Sequence, residues 1–206
     1  MHMGKSLVDC LRIQVKPIHL ERLAIIDNED FSDYIRKAAD QAERHNGKRP
    51  DQKYLDDGEF GIKQFYSLVV LDPVNSHAIS FKLDPFWHSH ILHTKQYIEF
   101  CNRLVGEVLH HFPLESGNDL EREGVKHEME FTVERLRKIY GDDISPLWMT
   151  DVDIESSIIC WGSPGGCDHH IRDSILMSAA LFGHDARSLD PDFREQCKKR
   201  LALQTA

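Results

Sequence analysis

Little in this sequence speaks for export, a membrane or nucleic acid. No apolar run approaches the roughly 18–20 residues that cross a bilayer. The opening stretch, Met1-His2-Met3-Gly4-Lys5-Ser6, lacks the apolar core of a secretory signal. The five cysteines, Cys10, Cys101, Cys160, Cys167 and Cys197, are odd in number and scattered, unlike a disulfide framework. Together these absences predict a cytoplasmic protein. Basic residues are also few: 25 Lys and Arg stand against 34 Asp and Glu, a net charge of −9. Phosphate recognition needs clustered cations, so this balance speaks against a nucleic-acid partner. The densest basic stretch, Lys198-Lys199-Arg200, reads as a solvated helix face. No Gly-Lys-Ser/Thr follows the glycines of 162–166, so no phosphate loop is expected there. A Gly-x-Ser-x-Gly elbow is missing too, which leaves a serine hydrolase without support.

What is present is an ordinary globular balance, with 41% hydrophobic and 29% charged residues in 206. There is no repeat and no long linker. The pattern predicts a mostly α fold, a single compact helical domain over 1–206 with few or no short strands. Residues 27–46 place Phe31, Tyr34, Ile35, Ala38, Ala39 and Ala42 at helical spacing, and Asn46-Gly47 is a suitable stop. Residues 47–58 read as a polar loop, and 59–71 as a helix with Ile62, Phe65, Tyr66, Val69 and Val70 on one face. Asp84-Pro85 opens another helix, with Asp as N-cap and Pro in the first turn. Thr94 has N-cap character, so a break is expected there before a helix over 95–105. Residues 120–140 form a further helix that stops at Gly141. Short helices are expected at 173–183 and after Asp190-Pro191. The best strand candidates are Leu11 to Val15 and Ala78 to Leu83.

The chemistry-bearing residues are histidines. Five of the thirteen fall between 88 and 111, in Trp87-His88-Ser89-His90-Ile91-Leu92-His93 and in His110-His111-Phe112-Pro113. Neutral imidazole is the commonest protein ligand for transition metals. On one unbroken helix His88 and His111 would be roughly 35 Å apart and could not share an ion. A break at Thr94 that turns the chain back would let them meet. His88 and His90 point about 200° apart on a helix, which disfavours joint ligation of one ion from a regular helix. The second cluster is Cys160-Trp161-Gly162-Ser163-Pro164-Gly165-Gly166-Cys167-Asp168-His169-His170. Its glycines permit a tight turn that brings thiols and imidazoles together. The candidate ligands are therefore His88, His90, His110, His111, Cys167, His169 and His170. Nothing in the sequence places Cys101 or Cys167 beside a base, so a cysteine nucleophile is not favoured.

The run from Asp84-Pro85-Phe86-Trp87-His88 to Thr94, with Tyr97, Phe100-Cys101, Gly106 and His110-His111-Phe112-Pro113, resembles the glycine-rich domain-containing proteins. The likeness extends to Lys63-Gln64-Phe65-Tyr66 upstream. Downstream it reaches Thr132 to Gly141 and Pro146-Leu147-Trp148, so it covers roughly 60–150. This divides the chain into a helical core over 60–150 and a Cys/His loop with C-terminal helices over 151–206. The resemblance implies that His88 and His111 occupy the group's most regular positions. It also implies that His90 stands where Phe is common. The chain lacks that group's long glycine-rich tail.

These readings point to a metal-dependent enzyme acting on a small molecule or peptide. Several histidines favour non-haem iron or copper and oxidative chemistry, whereas thiolates among the ligands would favour zinc. A zinc hydrolase would need a base, for which Asp168 is the candidate. The alternative is a non-enzymatic interaction module with a structural zinc or no metal.

Overall fold

The computed structural model describes residues 5–73, 75, 77–113, 119–148 and 160–164, and side chains outside 112–113, 119–128 and 160–164. It is mostly helical, as expected. Seven helices are described: α1 (Leu7–Cys10), α2 (Pro17–Asp27), α3 (Ser32–Asn46), α4 (Gln52–Leu71), α5 (Asp84–Ile91), α6 (Thr94–Val105) and α7 (Asp119–Tyr140). A 3-10 turn spans Pro146–Trp148. Three short strands, β1 (His77–Ala78), β2 (Leu109–Pro113) and β3 (Cys160–Pro164), pair antiparallel in the order β1-β3-β2. Among the described residues, no helix is long and apolar enough to cross a membrane.

The helix α4 is the axis of the fold. Every residue from Phe60 to Leu71 is buried. A helix buried all round belongs inside a protein, and here α1, α2, α3, α5, α6 and α7 all pack on it. The expected loop over 47–58 is only partly a loop, because α4 begins at Gln52. Asp51 caps it, accepting a hydrogen bond from the Tyr54 N–H at 2.8 Å. Two i,i+4 contacts, Gln52 to Asp56 and Lys53 to Asp57, hold the polar first turns. Gln52, Lys53 and Asp56 face solvent and Leu55 is the one buried apolar side chain there, so these turns carry no apolar stripe to read. The helix α2 escapes notice for the same reason, since its apolar residues are spread around it. Leu11 to Val15 forms no strand, and of Ala78 to Leu83 only Ala78 does. The Leu11–Val15 segment packs against the core as irregular chain, with Leu11, Ile13 and Val15 half-buried.

Two glycines of α4 decide how close α5 comes. A Cβ on Gly58 would lie 2.3 Å from Cζ of Phe86, and one on Gly61 would lie 2.5 Å from Cδ2 of Leu83. The start of α5 is thus seated in a notch only glycine leaves open. In a free helix Gly→Ala would stabilise by about 0.5–1 kcal/mol. Here overpacking, typically about 1–3 kcal/mol, acts against that gain, because Phe86 is buried and cannot swing into solvent. Gly58→Ala is therefore expected to be destabilising by about 1–2 kcal/mol in urea unfolding. A more stable variant would show that the notch is not tight.

The expected break between α5 and α6 is real. The helix α5 ends at Ile91 and α6 begins at Thr94, with His93 as the N-cap residue. Gly106 then adopts φ +84, a left-handed stop, and the chain returns as β2. This reversal carries residue 111 back to the start of α5.

Candidate metal centre

The first turns of α5 place Asp84 and His88 on one face, four residues apart. Strand β2 brings His111 to the same point. Nε2 of His88 lies 2.8 Å from Nε2 of His111. Nδ1 of His88 lies 3.5 Å from Oδ2 of Asp84. One ligand atom from each of these three residues falls within 4.8 Å of the others. Among the described residues they form the one group of three that could hold a metal ion. The fully buried Trp87 backs the site, its ring edge-on to His111 with centroids 5.0 Å apart. The His88 side chain is 41% exposed and that of Asp84 14%. Burial, then the neighbouring charge of His88, holds the His111 pKa below its ordinary value. That keeps His111 neutral at pH 7, the form that ligates.

The remaining candidates sit elsewhere. His90 is wholly buried and turned away from His88. The Tyr66 hydroxyl and Nδ1 of His90 share a hydrogen bond at 2.8 Å. Five aromatic rings surround it: Tyr34 stacked at 4.2 Å, and Phe31, Tyr66, Tyr97 and Phe100 at 5.1–5.7 Å. Its Nε2 meets no hydrogen-bond partner among the described residues. Burial, with a smaller contribution from His93, pushes its pKa down to about 3. His90 thus joins α3, α4, α5 and α6 from inside the core. His93 donates from Nδ1 to the Ser89 carbonyl at 2.7 Å, one turn back. His110 is exposed, on the face of β2 opposite His111, because side chains alternate along a strand. Cys101 is buried in the core, as its helical position suggests. Cys167, His169 and His170, with Asp168 and the helices expected after 173, lie outside the described residues.

The segment expected as a turn from Cys160 begins instead as β3. Gly162 pairs with His111 on one side and His77 on the other. The first part of that loop therefore lies against the His111 strand. Sequence reasoning treated Asp84 only as a helix cap. Its signal as a ligand was the i,i+4 spacing to His88, which puts a carboxylate and an imidazole on one helix face.

A second polar cluster lies beyond β1. Asp72 is buried, accepts a hydrogen bond from Asn75 at 2.7 Å and lies 3.3 Å from Arg135 Nε. His77, also buried, bonds through Nε2 to the Asp72 carbonyl at 3.1 Å and stacks on Phe131. Burial lowers the His77 pKa against the opposing pull of Asp72. The Ala78 N–H donates to Thr132 on α7 at 3.1 Å. This cluster fastens β1 to α7 and so supports the sheet that carries His111.

No curated protein and no solved structure matches the chain. The likeness to glycine-rich domain-containing proteins does not hold, because the family model that matches is a different one. That match begins well upstream of the Trp87–His88 run and contains all three residues of the site. It is to the family described as UCP032817-like, over residues 21–144, and the chain belongs to that family.

Proposed function

We propose that the protein is a metal-dependent enzyme whose ion is held by Asp84, His88 and His111. The observation that carries this reading is the convergence of two imidazoles and a carboxylate, none of them fully buried, on one point. A closed structural zinc has four protein ligands, often thiolates, whereas three ligands leave positions for substrate. Two histidines and one carboxylate are the donor set of non-haem iron(II) oxygenases. We therefore favour iron(II) and oxidation of a small molecule over zinc and hydrolysis. Metal titration of chelator-treated protein under argon tests this. One equivalent of iron(II) should bind, and the iron-loaded but not the zinc-loaded protein should consume dioxygen when a reductant is supplied, because raw affinity at such a site favours zinc in any case. Ester hydrolysis by the zinc-loaded protein, with no oxygen consumption by the iron-loaded one, would favour the hydrolytic reading.

One feature of the site favours a second reading. A 2.8 Å contact between two imidazole nitrogens is also an ordinary hydrogen-bond length. A metal-free pair sharing one proton would suit an interaction module. Failure of iron, copper and zinc all to bind would select it.

A further inference from the structure

The site joins two separate pieces of chain. Asp84 and His88 come from α5, and His111 alone comes from β2. Whether the donors converge depends on how β2 is set against α5, and one side chain touches both. Tyr97, on α6 and 4% exposed, donates its hydroxyl to the Leu109 carbonyl at 2.7 Å. Leu109 opens β2 two residues before His111, so the two side chains share a face of the strand, about 7 Å apart along it. Leu109 is itself buried. The Tyr97 ring also packs edge-on against His90 of α5, with centroids 5.1 Å apart.

We propose that Tyr97 is a positioning residue of the metal centre, setting the gap between His88 and His111 by holding the Leu109 carbonyl while resting on α5. This rests on the metal reading above. The hydroxyl is buried, so water does not replace the bond once it is lost. Removing it loosens the N-terminal end of β2, which Cys101 and the pairing with β3 still hold in part, and leaves the ring contact with α5 in place. Metal affinity then falls more than fold stability does.

The experiment uses the full chain and cobalt(II) alone as probe, whose visible absorption reports coordination geometry. Tyr97→Phe is compared with wild type and with Ser67→Ala. The control loses a buried hydroxyl-to-carbonyl bond of the same length, 2.7 Å, within α4. All three are read at a temperature where their helical circular-dichroism signals are equal. Tyr97→Phe is expected to bind cobalt about 10-fold more weakly, with a changed absorption band, and Ser67→Ala to bind like wild type. Unchanged binding by Tyr97→Phe overturns the inference, and so does equal weakening by both variants. A wild type that binds no cobalt overturns the metal reading itself.

Discussion

His88→Ala is expected to lower iron(II) affinity more than about 100-fold while leaving the fold intact. Loss of an outer-shell partner of a metal ligand already costs about 10–100-fold, and here a ligand itself is removed. The fold should tolerate the change because His88 is 41% exposed and alanine is the better helix former. The stability of the loaded protein separates the two readings of the imidazole pair. Metal at 100 times its Kd adds about 2.7 kcal/mol to wild type by linkage, and this increment should vanish in the variant. A metal-free hydrogen bond is worth only about 0.5–1.5 kcal/mol, and its loss would not depend on added metal. Thermal melts of both proteins with and without iron(II) decide this. A melting-temperature difference indifferent to metal would support the hydrogen-bonded pair.

The second large effect is loss of stability in mild acid. His90 is buried with a pKa near 3, against an unfolded value of about 6.5. Between these values the unfolded chain binds a proton that the folded one does not. Stability therefore rises with pH across this window and is lost as pH falls below about 6.5. The full shift of about 3.5 units corresponds to roughly 4–5 kcal/mol, comparable to the whole stability of a small domain. His77 acts in the same direction, because burial lowers its pKa as well. Urea unfolding of chelator-treated protein from pH 7 to 4.5 should show ΔG falling by up to about 1.4 kcal/mol per pH unit from His90 alone, with His77 and His111 adding in the same direction. That range lies above most carboxylate titrations, so it isolates the imidazoles. His90→Phe should start less stable at pH 7, since the buried Tyr66 hydroxyl loses its partner, yet decline less steeply. A wild-type ΔG that stays flat to pH 4.5 would show that His90 protonates inside the fold at little cost.

The helices whose apolar faces meet the core were legible in the sequence, as was the break at Thr94. Recognising that break made a meeting of His88 and His111 conceivable. The beginning of α4 was not legible, because two polar turns held by Asp51 and i,i+4 pairs resemble a loop. The sheet was hidden because β1 has two residues and its partner β3 lies far along the chain. Short strands take their identity from pairing, which one segment does not reveal. Within the site, the 200° rule correctly separated His90 from His88. Only the fold shows why a histidine occupies that core position: Tyr66 hydrogen-bonds its Nδ1, and rings fill the rest. Asp84 was missed because one residue can open a helix and also face a ligand.

The central claim is that Asp84, His88 and His111 together hold one metal ion. Diffraction from crystals of the iron(II)-loaded protein, collected at the iron absorption edge, tests it most directly. The account predicts one anomalous peak within bonding distance of His88 and His111 imidazole nitrogens and an Asp84 carboxylate oxygen. A peak located elsewhere, or no peak with the two Nε2 atoms still about 2.8 Å apart, would contradict it.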